Sequence, residues 1–355
     1  MFEVDLLYTL AKEKGESRRL KNDLIEQLST IESEKSLMAA AKKLGMSYRY
    51  FWGRIEHWEN EFGQKLVVRE QGKPAFLTPL GKKLLWAERT IQAKHALTIA
   101  KLSNELNAAF QAAYDPNASI LTVAGCFDAF LSSLQVKAFD SGLITDFRFN
   151  TGLEGLRNLR DGDCVMAGFN FPEDSPRGSE AWKAFSPMID PALMEGCSVG
   201  RRSQGLVVAK GNPKGVGSFI DVFLKHLRYA GRSPDTGTYT LQESLLKQTP
   251  FDQEQLAKIS TIYPSHLAVA TAVASGEADA GLCIAQAAGQ MNAGFIPLVW
   301  ENYYLAWHKR DRALVQPFLE VLSRAGREGD PGEPGRDLQR CGELITDWQA
   351  ELNWF

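Results

Sequence analysis

The sequence predicts an α/β protein with an N-terminal α+β winged helix-turn-helix, a long linker helix and a larger α/β body. Three observations predict it. Residues 36–81 hold two helix-patterned segments with a short break between them, followed by a β-branched run; residues 79–114 sustain one apolar stripe; and beyond Asp115 short β-like runs alternate with segments of helical spacing.

Taken in order, residues 1–20 are short apolar pieces split by charge, expected to form a strand or hairpin laid on the head. In KNDLIEQLSTIES (21–33), Leu24, Leu28 and Ile31 recur at spacings of four and three, which predicts the first helix of a three-helix core. SLMAAAKKLG repeats the pattern with Leu37, Ala40, Ala41 and Leu44, and Gly45 stands where helices stop. Ser47 then caps a longer helix to about Phe62, with Phe51, Ile55, Trp58 and Phe62 on one face. A short helix, a tight turn and a longer helix make a helix-turn-helix. Its N-terminal and outer side, Ser47, Tyr48, Arg49, Tyr50 and Arg54, is the part expected to meet base edges in a major groove. Lys42, Lys43, Lys65, Arg69 and Lys73 are expected to hold phosphates, which positions the head without specifying sequence. KLVVRE, a turn at QGKPA and FLT complete a two-stranded wing, so residues 1–78 are read as a DNA-binding domain.

Residues 79–114 carry Leu80, Leu84, Ala87, Ile91, His95, Ile99, Leu102, Leu106 and Ala109 at steps of three and four. So narrow a stripe over such a length packs on another helix, within the chain or from a second copy. A linker and dimerisation helix is expected, with His95 a packing residue and not a metal ligand. From Asp115, the runs ILTVAGC, FRFN, CVMAGFNF, GLVVAKGNP, LRYAG, KISTIY, AGLCIA and IPLVW predict largely parallel sheets in a body over 115–325. RAGREGDPGEPGRD reads as an exposed loop and LQRCGELITDWQAELNWF as a C-terminal helix, together 326–355.

Composition narrows the classes. The net charge of −3 conceals an asymmetry: residues 1–105 hold 18 Lys+Arg against 14 Asp+Glu, and the remainder 22 against 29. A basic head on an acidic body fits a chain that touches phosphate only at its head. No apolar run is long enough to span a membrane and the start lacks the order of a signal peptide, so no membrane partner and a cytoplasmic location are expected. The five cysteines are widely spaced and never in C-x-x-C, which argues against a disulfide framework and a zinc site. Walker, dinucleotide-binding, nucleophile-elbow and H-E-x-x-H signatures are absent, and the histidines are scattered; no enzymatic activity, cofactor or metal is expected. GNPKGVGS (211–218) is Gly-rich and basic, a surface turn as readily as a phosphate cradle.

The head resembles the winged helix of molybdate-responsive transcription regulators, with the LysR-type head a more distant relative. M-S-Y-R, Trp52, E-x-x-x-G-x-x-L-V and L-T-x-x-G occur in order over residues 20–90. The oxyanion-binding motif of those regulators' own C-terminal modules does not follow. Residues 120–307 resemble instead a type 2 periplasmic-binding-protein-like domain, through LTVAGCFDAFLSSL, NTGLEGLRNLRDGD, GRRSQGLVVAKGNPKG, LRYAGRSPDTGTY, SHLAVATAVASGEADAGL and IPLVWENYYLAW. The resemblance implies a two-lobed body that binds a small anion in its cleft. By matched position the cleft would be lined by Gly125, Asp128, Thr151, Gly152, Arg202, Gln204, Arg232, Thr236, Gly237, Thr238, His266, Glu301 and Tyr303. Each has a plainer alternative: the glycines permit turns, Asp128 and Thr238 cap helices, Glu301 pairs with a surface arginine. Two positions depart from the pattern, D-T-G-T-Y where G-S-G-T-R is usual and Phe169-Asn170 where a histidine is common.

The resemblance therefore implies a homodimeric or larger transcription regulator of double-stranded DNA, answering to a small anionic effector such as molybdate, tungstate, a molybdopterin-type compound or a small carboxylate. The alternative is a cytoplasmic carrier of a molybdenum-related molecule without a regulatory role.

Overall fold

The computed structural model describes residues 22–69, 73–115, 120–329 and 335–355. The chain divides into two compact units between Ala96 and Leu97. The expected hairpin over 1–20 and most of the QG tip of the wing lie outside the described residues.

In the first unit, helix α1 (Asp23–Glu34) starts where the Asn22 side chain accepts from the Leu24 and Ile25 amides, and α2 (Leu37–Lys43) where Ser36 does the same for Ala39. Helix α3 (Tyr48–Phe62) starts at Ser47, whose hydroxyl accepts from the Tyr50 amide, and stops at Gly63 in the left-handed region. Strands β1 (Val67–Val68) and β2 (Phe76–Leu77) pair antiparallel as the wing. Leu28, Ile31, Ala40, Phe51, Ile55 and Leu66 form the core beneath them. Glu59 is buried in α3, and its carboxylate accepts from the Leu66 and Val67 amides, fastening the wing to the helix. The glycine of L-T-x-x-G has a steric cause: a Cβ on Gly81 would lie 2.5 Å from the Leu66 carbonyl oxygen. Helix α4 (Pro79–Tyr114) runs unbroken over its predicted span. His95 is exposed on it, as are Ile91 and Leu102 of the same stripe.

The second unit follows as β3 (Ile120–Gly125), α5 (Ala129–Asp140), β4 (Ile144–Phe149), α6 (Gly152–Asp161), β5 (Met166–Pro172), α7 (Glu180–Phe185), β6 (Met194–Val208), α8 (Asp221–Leu224) and β7 (Tyr229–Gly231). It continues through α9 (Gly237–Leu246), α10 (Gln253–Ile259), β8 (Ser260–Ile262), α11 (His266–Ser275), β9 (Ala280–Ile284), α12 (Ala285–Gln290), β10 (Gly294–His308) and α13 (Arg312–Glu328). Last come β11 (Arg336–Asp337), β12 (Leu344–Ile345) and α14 (Trp348–Leu352).

The sheet order β4-β3-β5-β10-β6-β9-β7-β8 makes two lobes. Within each lobe the neighbours β4, β3, β5 and β9, β7, β8 are parallel, as alternation predicts. The expectation of largely parallel sheets fails at the centre, where β6 and β10 pair antiparallel with each other and with β5 and β9. These two long strands belong to both lobes and join them. Phe147, Val199, Trp307 and Phe318 pack one face of the first lobe, and Phe169, Phe171, Tyr304 and Trp348 the other. Leu206, Phe219, Leu227 and Leu282 fill the second lobe.

The C-terminal expectation also needs correction. Among the described residues, Arg336–Asp337 and Leu344–Ile345 are strands paired to β6, and the terminal helix is confined to α14. Buried Trp348 and Trp354 anchor this segment, so apolar burial and strand pairing prevail over the polar, Gly-rich look of the sequence.

Candidate functional site

In the head, Lys42, Lys43, Ser47, Tyr48, Arg49, Tyr50, Lys65, Arg69 and Lys73 are exposed. Their charges are not equally available. Lys43 meets Glu34 at 2.6 Å, Lys65 meets Glu59 at 2.6 Å, and Arg54, half-buried, meets Asp23 at 3.0 Å. Arg69 leans from the wing onto α3, donating to the Tyr48 hydroxyl at 3.1 Å with its guanidinium 4.1 Å from the Trp52 ring centroid. Lys42 and Arg49 have no ion-pair partner among the described residues. The head thus presents Tyr48, Arg49 and Tyr50 at the start of α3, where the helix dipole is positive.

In the body, the alternation of side chains along a strand brings distant residues together. Arg202 on β6 is in register with Glu301 on β10 and with Arg336 on β11, so all three share one face. Asp128, at the start of α5, meets this face from the first lobe. One of its oxygens caps α5 through the Phe130 and Leu131 amides. The other accepts from Arg202 at 2.9 Å and from Arg336 at 2.5 Å. Arg202 Nε donates to Glu301, whose second oxygen accepts from Asn170 Nδ2 at 2.9 Å. Arg202, Asp128 and Glu301 are fully buried. Burial alone would raise the Asp128 carboxyl, but Arg336 and Arg202 hold it below its ordinary value. Burial alone would lower the Arg202 guanidinium, but Glu301 and Asp128 raise it. The four charges balance one another, so Glu301 pairs with a buried arginine, not the surface one considered from sequence. Tyr303 lies over the cluster, its hydroxyl donating to the Cys126 carbonyl at 2.6 Å.

The second lobe contributes a different environment. Arg232 donates from one terminal nitrogen to the Tyr263 carbonyl at 3.1 Å, while its buried Nε has no partner among the described residues. Burial pushes its guanidinium down to about 10. His266, the first residue of α11, is held neutral by burial and then by the nearby Arg232 and Arg202 charges, well below its ordinary 6.5. Its Nδ1, Gln204 Oε1 and Asn170 Oδ1 are likewise buried without a partner among the described residues. Gln204 donates to Thr238 at 3.0 Å, joining β6 to α9. Thr236, rather than Thr238, caps α9, and Thr151 caps α6. Two glycines are required by close approach: a Cβ on Gly125 would lie 2.2 Å from the Gly168 carbonyl oxygen, and one on Gly237 would lie 2.6 Å from that of Asn170. Gly152 sits beside Phe169 and Cys126.

Three residues of this region were missed from sequence. Cys126 lies among Arg202, Glu301 and Arg232, and burial pushes its thiol up to about 11. Arg336 and Gln286, 3.5 Å apart, come from the supposed exposed loop and from α12. Nothing local marks them; only strand pairing of the C-terminal segment brings Arg336 in. GNPKGVGS is a turn closed by its own side chains, with Asn212 accepting from Val216 and Asp221 accepting from Gly217 and Ser218. All five cysteines are free, and among the described residues no group of three His, Cys, Asp or Glu side chains is placed to hold a metal ion.

Comparison with known proteins supports the two-part reading. Residues 135–323, more than half of the chain, match the PBP superfamily domain, and residues 23–82 match the bacterial regulatory helix-turn-helix protein, lysR family. The chain is 31% identical over 147 residues to the uncharacterized protein YvgK of Bacillus subtilis, covering 41% of this chain and 48% of that one. It is 32% identical over 92 residues to the molybdenum transport protein ModE of Azotobacter vinelandii, covering 25% of this chain and 34% of that one. The chain thus spans half or less of the length of these curated relatives. Among solved structures, a hydrogen-peroxide-bound cysteine-to-serine mutant of OxyR from Corynebacterium glutamicum aligns at 18% identity and a TM-score of 0.43, covering 89% of this chain and 94% of that one. Full-length BenM aligns at 14% identity and a TM-score of 0.43, covering 88% and 99%.

Proposed function

This chain belongs to the PBP superfamily through its body and carries a lysR-family helix-turn-helix at its head, and on that premise we propose that it is a DNA-binding transcription regulator controlled by a small effector held between the two lobes. The observation that carries this reading is Arg232, a half-buried cation whose enclosed Nε has no partner among the described residues, in a cleft whose other charges are paired. Such a group favours an anion, which supplies the counter-charge that burial makes costly to lack and fills its donor.

The neighbouring orphan atoms sharpen the effector class. Asn170 Nδ2 faces the Glu301 carboxylate, which only accepts, so the amide orientation is fixed and Asn170 Oδ1 requires a donor. Molybdate and tungstate supply acceptors alone. An anion that also carries N–H or O–H, such as a molybdopterin-type compound or a hydroxyl-bearing carboxylate, meets both Arg232 and Asn170. Tyr48, Arg49 and Tyr50 read base edges, with Lys42 and its neighbours on phosphates. The protein dimerises through α4, whose Ile91, Leu102 and Phe110 are exposed apolar side chains about two to three turns apart. Half-sites about one helical turn apart follow from two-fold symmetry.

The test is a gel shift with DNA upstream of the protein's own gene. The wild-type chain binds specifically and Arg49→Ala loses that preference while keeping salt-dependent non-specific binding; equal sequence preference in both sinks the reading of α3.

A further inference from the structure

A cavity of about 380 Å³ lies between the lobes, beside the strand segments that carry the buried Arg202 cluster but lined by none of its residues. One wall is the segment after β5 together with the start of α7, the other is α9 beyond its first turn, and the floor is residues 298–300 of β10. Its volume lies in the range of small-molecule sites, and no residue of the cleft described above lines it.

The hydrogen-bonding sense of this lining is one-sided. The hydroxyl protons of Ser175, Thr240 and Ser244 are donated to the carbonyls of Pro172, Gly237 and Thr240, at 2.5, 2.7 and 2.9 Å. The Gln248 amide nitrogen donates to the Ser244 carbonyl at 3.3 Å. Two backbone donors of the segment after β5 are engaged as well, the Glu173 amide with the Trp300 carbonyl and the Ser175 amide with that of Glu173. Ser179 alone of the lining hydroxyls keeps a proton without an acceptor among the described residues. What the side chains leave open to an occupant is a set of acceptors: hydroxyl oxygens, the Gln248 carbonyl and the Asp174 carboxylate, the Glu173 carboxylate being held by Arg201.

The charge has the same sense. Glu173 and Asp174 line the cavity and no Lys, Arg or His does. Of the cations flanking it, Arg201 pairs with Glu173 and Asp337 and lies over the Trp300 ring, while Lys183 and Lys247 pair with Glu180. Arg177 lies over the Trp182 ring. Asp174 is exposed and has no partner among the described residues. Leu241, Leu245 and the Trp300 ring supply apolar surface beside these acceptors.

We propose that this cavity is a binding site for an organic cation, a primary ammonium on a compact apolar body, distinct from the anion-seeking cleft. The ammonium donates to Asp174 and the hydroxyl oxygens while the apolar body lies against Trp300, Leu241 and Leu245. Because both lobes line the cavity, the occupant bridges them.

The test is calorimetric titration of the full chain with benzylammonium and with benzyl alcohol, its neutral counterpart. Benzylammonium binds at least about tenfold more tightly than the alcohol, the share expected of a hydrogen-bonded charge. Asp174→Asn removes that preference, and Ser244→Arg, which places a cation in the cavity on an accessible helix face, abolishes binding. Circular dichroism melts establish that each variant is folded. Arg232→Met, a variant of the other cleft, leaves ammonium binding unchanged. Equal binding of alcohol and ammonium, retention of the preference in Asp174→Asn, or loss of binding in Arg232→Met would each overturn the proposal. None of these readouts uses DNA or the anionic effector, so failure here is separate from failure of the regulator reading.

Discussion

Arg202 and Arg232 are the same residue type in the same unit, thirty residues apart, and they sit in opposite circumstances. Arg202 is enclosed by Asp128 and Glu301, with Arg336 on the same carboxylate, and nothing in that cluster lacks a counter-charge. Arg232 is half-buried beside a backbone carbonyl and a neutral histidine, its enclosed Nε without a partner among the described residues. The first arrangement holds the joining strands and α5 in register; the second is available to a ligand. Charge in a cleft is therefore no guide to binding until its partners are counted, and the head repeats the lesson in Lys43, paired with Glu34, against Lys42, which is open.

The largest effect expected from this contrast is on stability. Arg202→Ala leaves the buried Glu301 carboxylate without its counter-charge and lowers the unfolding free energy by about 3–5 kcal/mol, whereas Arg232→Met, which replaces a half-buried charge with no ion-pair partner among the described residues, changes it by less than about 1 kcal/mol. Urea denaturation of the two variants measures the difference; equal losses would remove the distinction. Next comes Arg336→Ala, at about 2–3 kcal/mol, because Asp128 keeps Arg202 and its two amide donors. A neutral outcome would return the C-terminal segment to the role of an ornamental loop. In the head, Lys42→Ala lowers the salt slope of DNA binding by about one unit. Lys43→Ala lowers it less, since Glu34 already offsets that charge.

The smallest effect is on acid stability. His266 has a folded pKa well below its ordinary 6.5, so the unfolded chain binds more protons and stability falls as pH drops below 6.5. Asp128 is depressed too, so its contribution is present above the usual carboxylate range and is lost as pH falls through its folded value. His266→Leu therefore flattens the upper part of the acid profile and leaves the lower part; an unchanged profile above the carboxylate range would show that His266 is protonated in the folded chain.

Legibility in the sequence followed the range of the interactions. The head was the most readable part, because the helical spacing of its core residues, the cap at Ser47 and the long stripe of α4 are local signals. In the body, the runs seen from sequence mark the strands within lobes. Strand β6 was seen only from Gly205 onward, because Glu195, Arg201 and Arg202 interrupt its apolar texture, and their acceptability depends on partners a hundred residues away. The same holds for Arg336, whose strand exists through pairing with β6. Resemblance named Asp128, Arg202 and Glu301 as cleft positions, and the fold brings the three side chains together, yet resemblance could not tell that they neutralise each other.

The most direct test of the central claim is native mass spectrometry of the wild-type chain, Arg232→Met and Lys42→Ala, each desalted gently after purification. The account predicts one small anionic molecule retained per chain by the wild type and by Lys42→Ala, and none by Arg232→Met. Retention by Arg232→Met equal to that of the wild type, or a wild-type chain with no retained molecule that also fails to take one up from a cell extract, would contradict it.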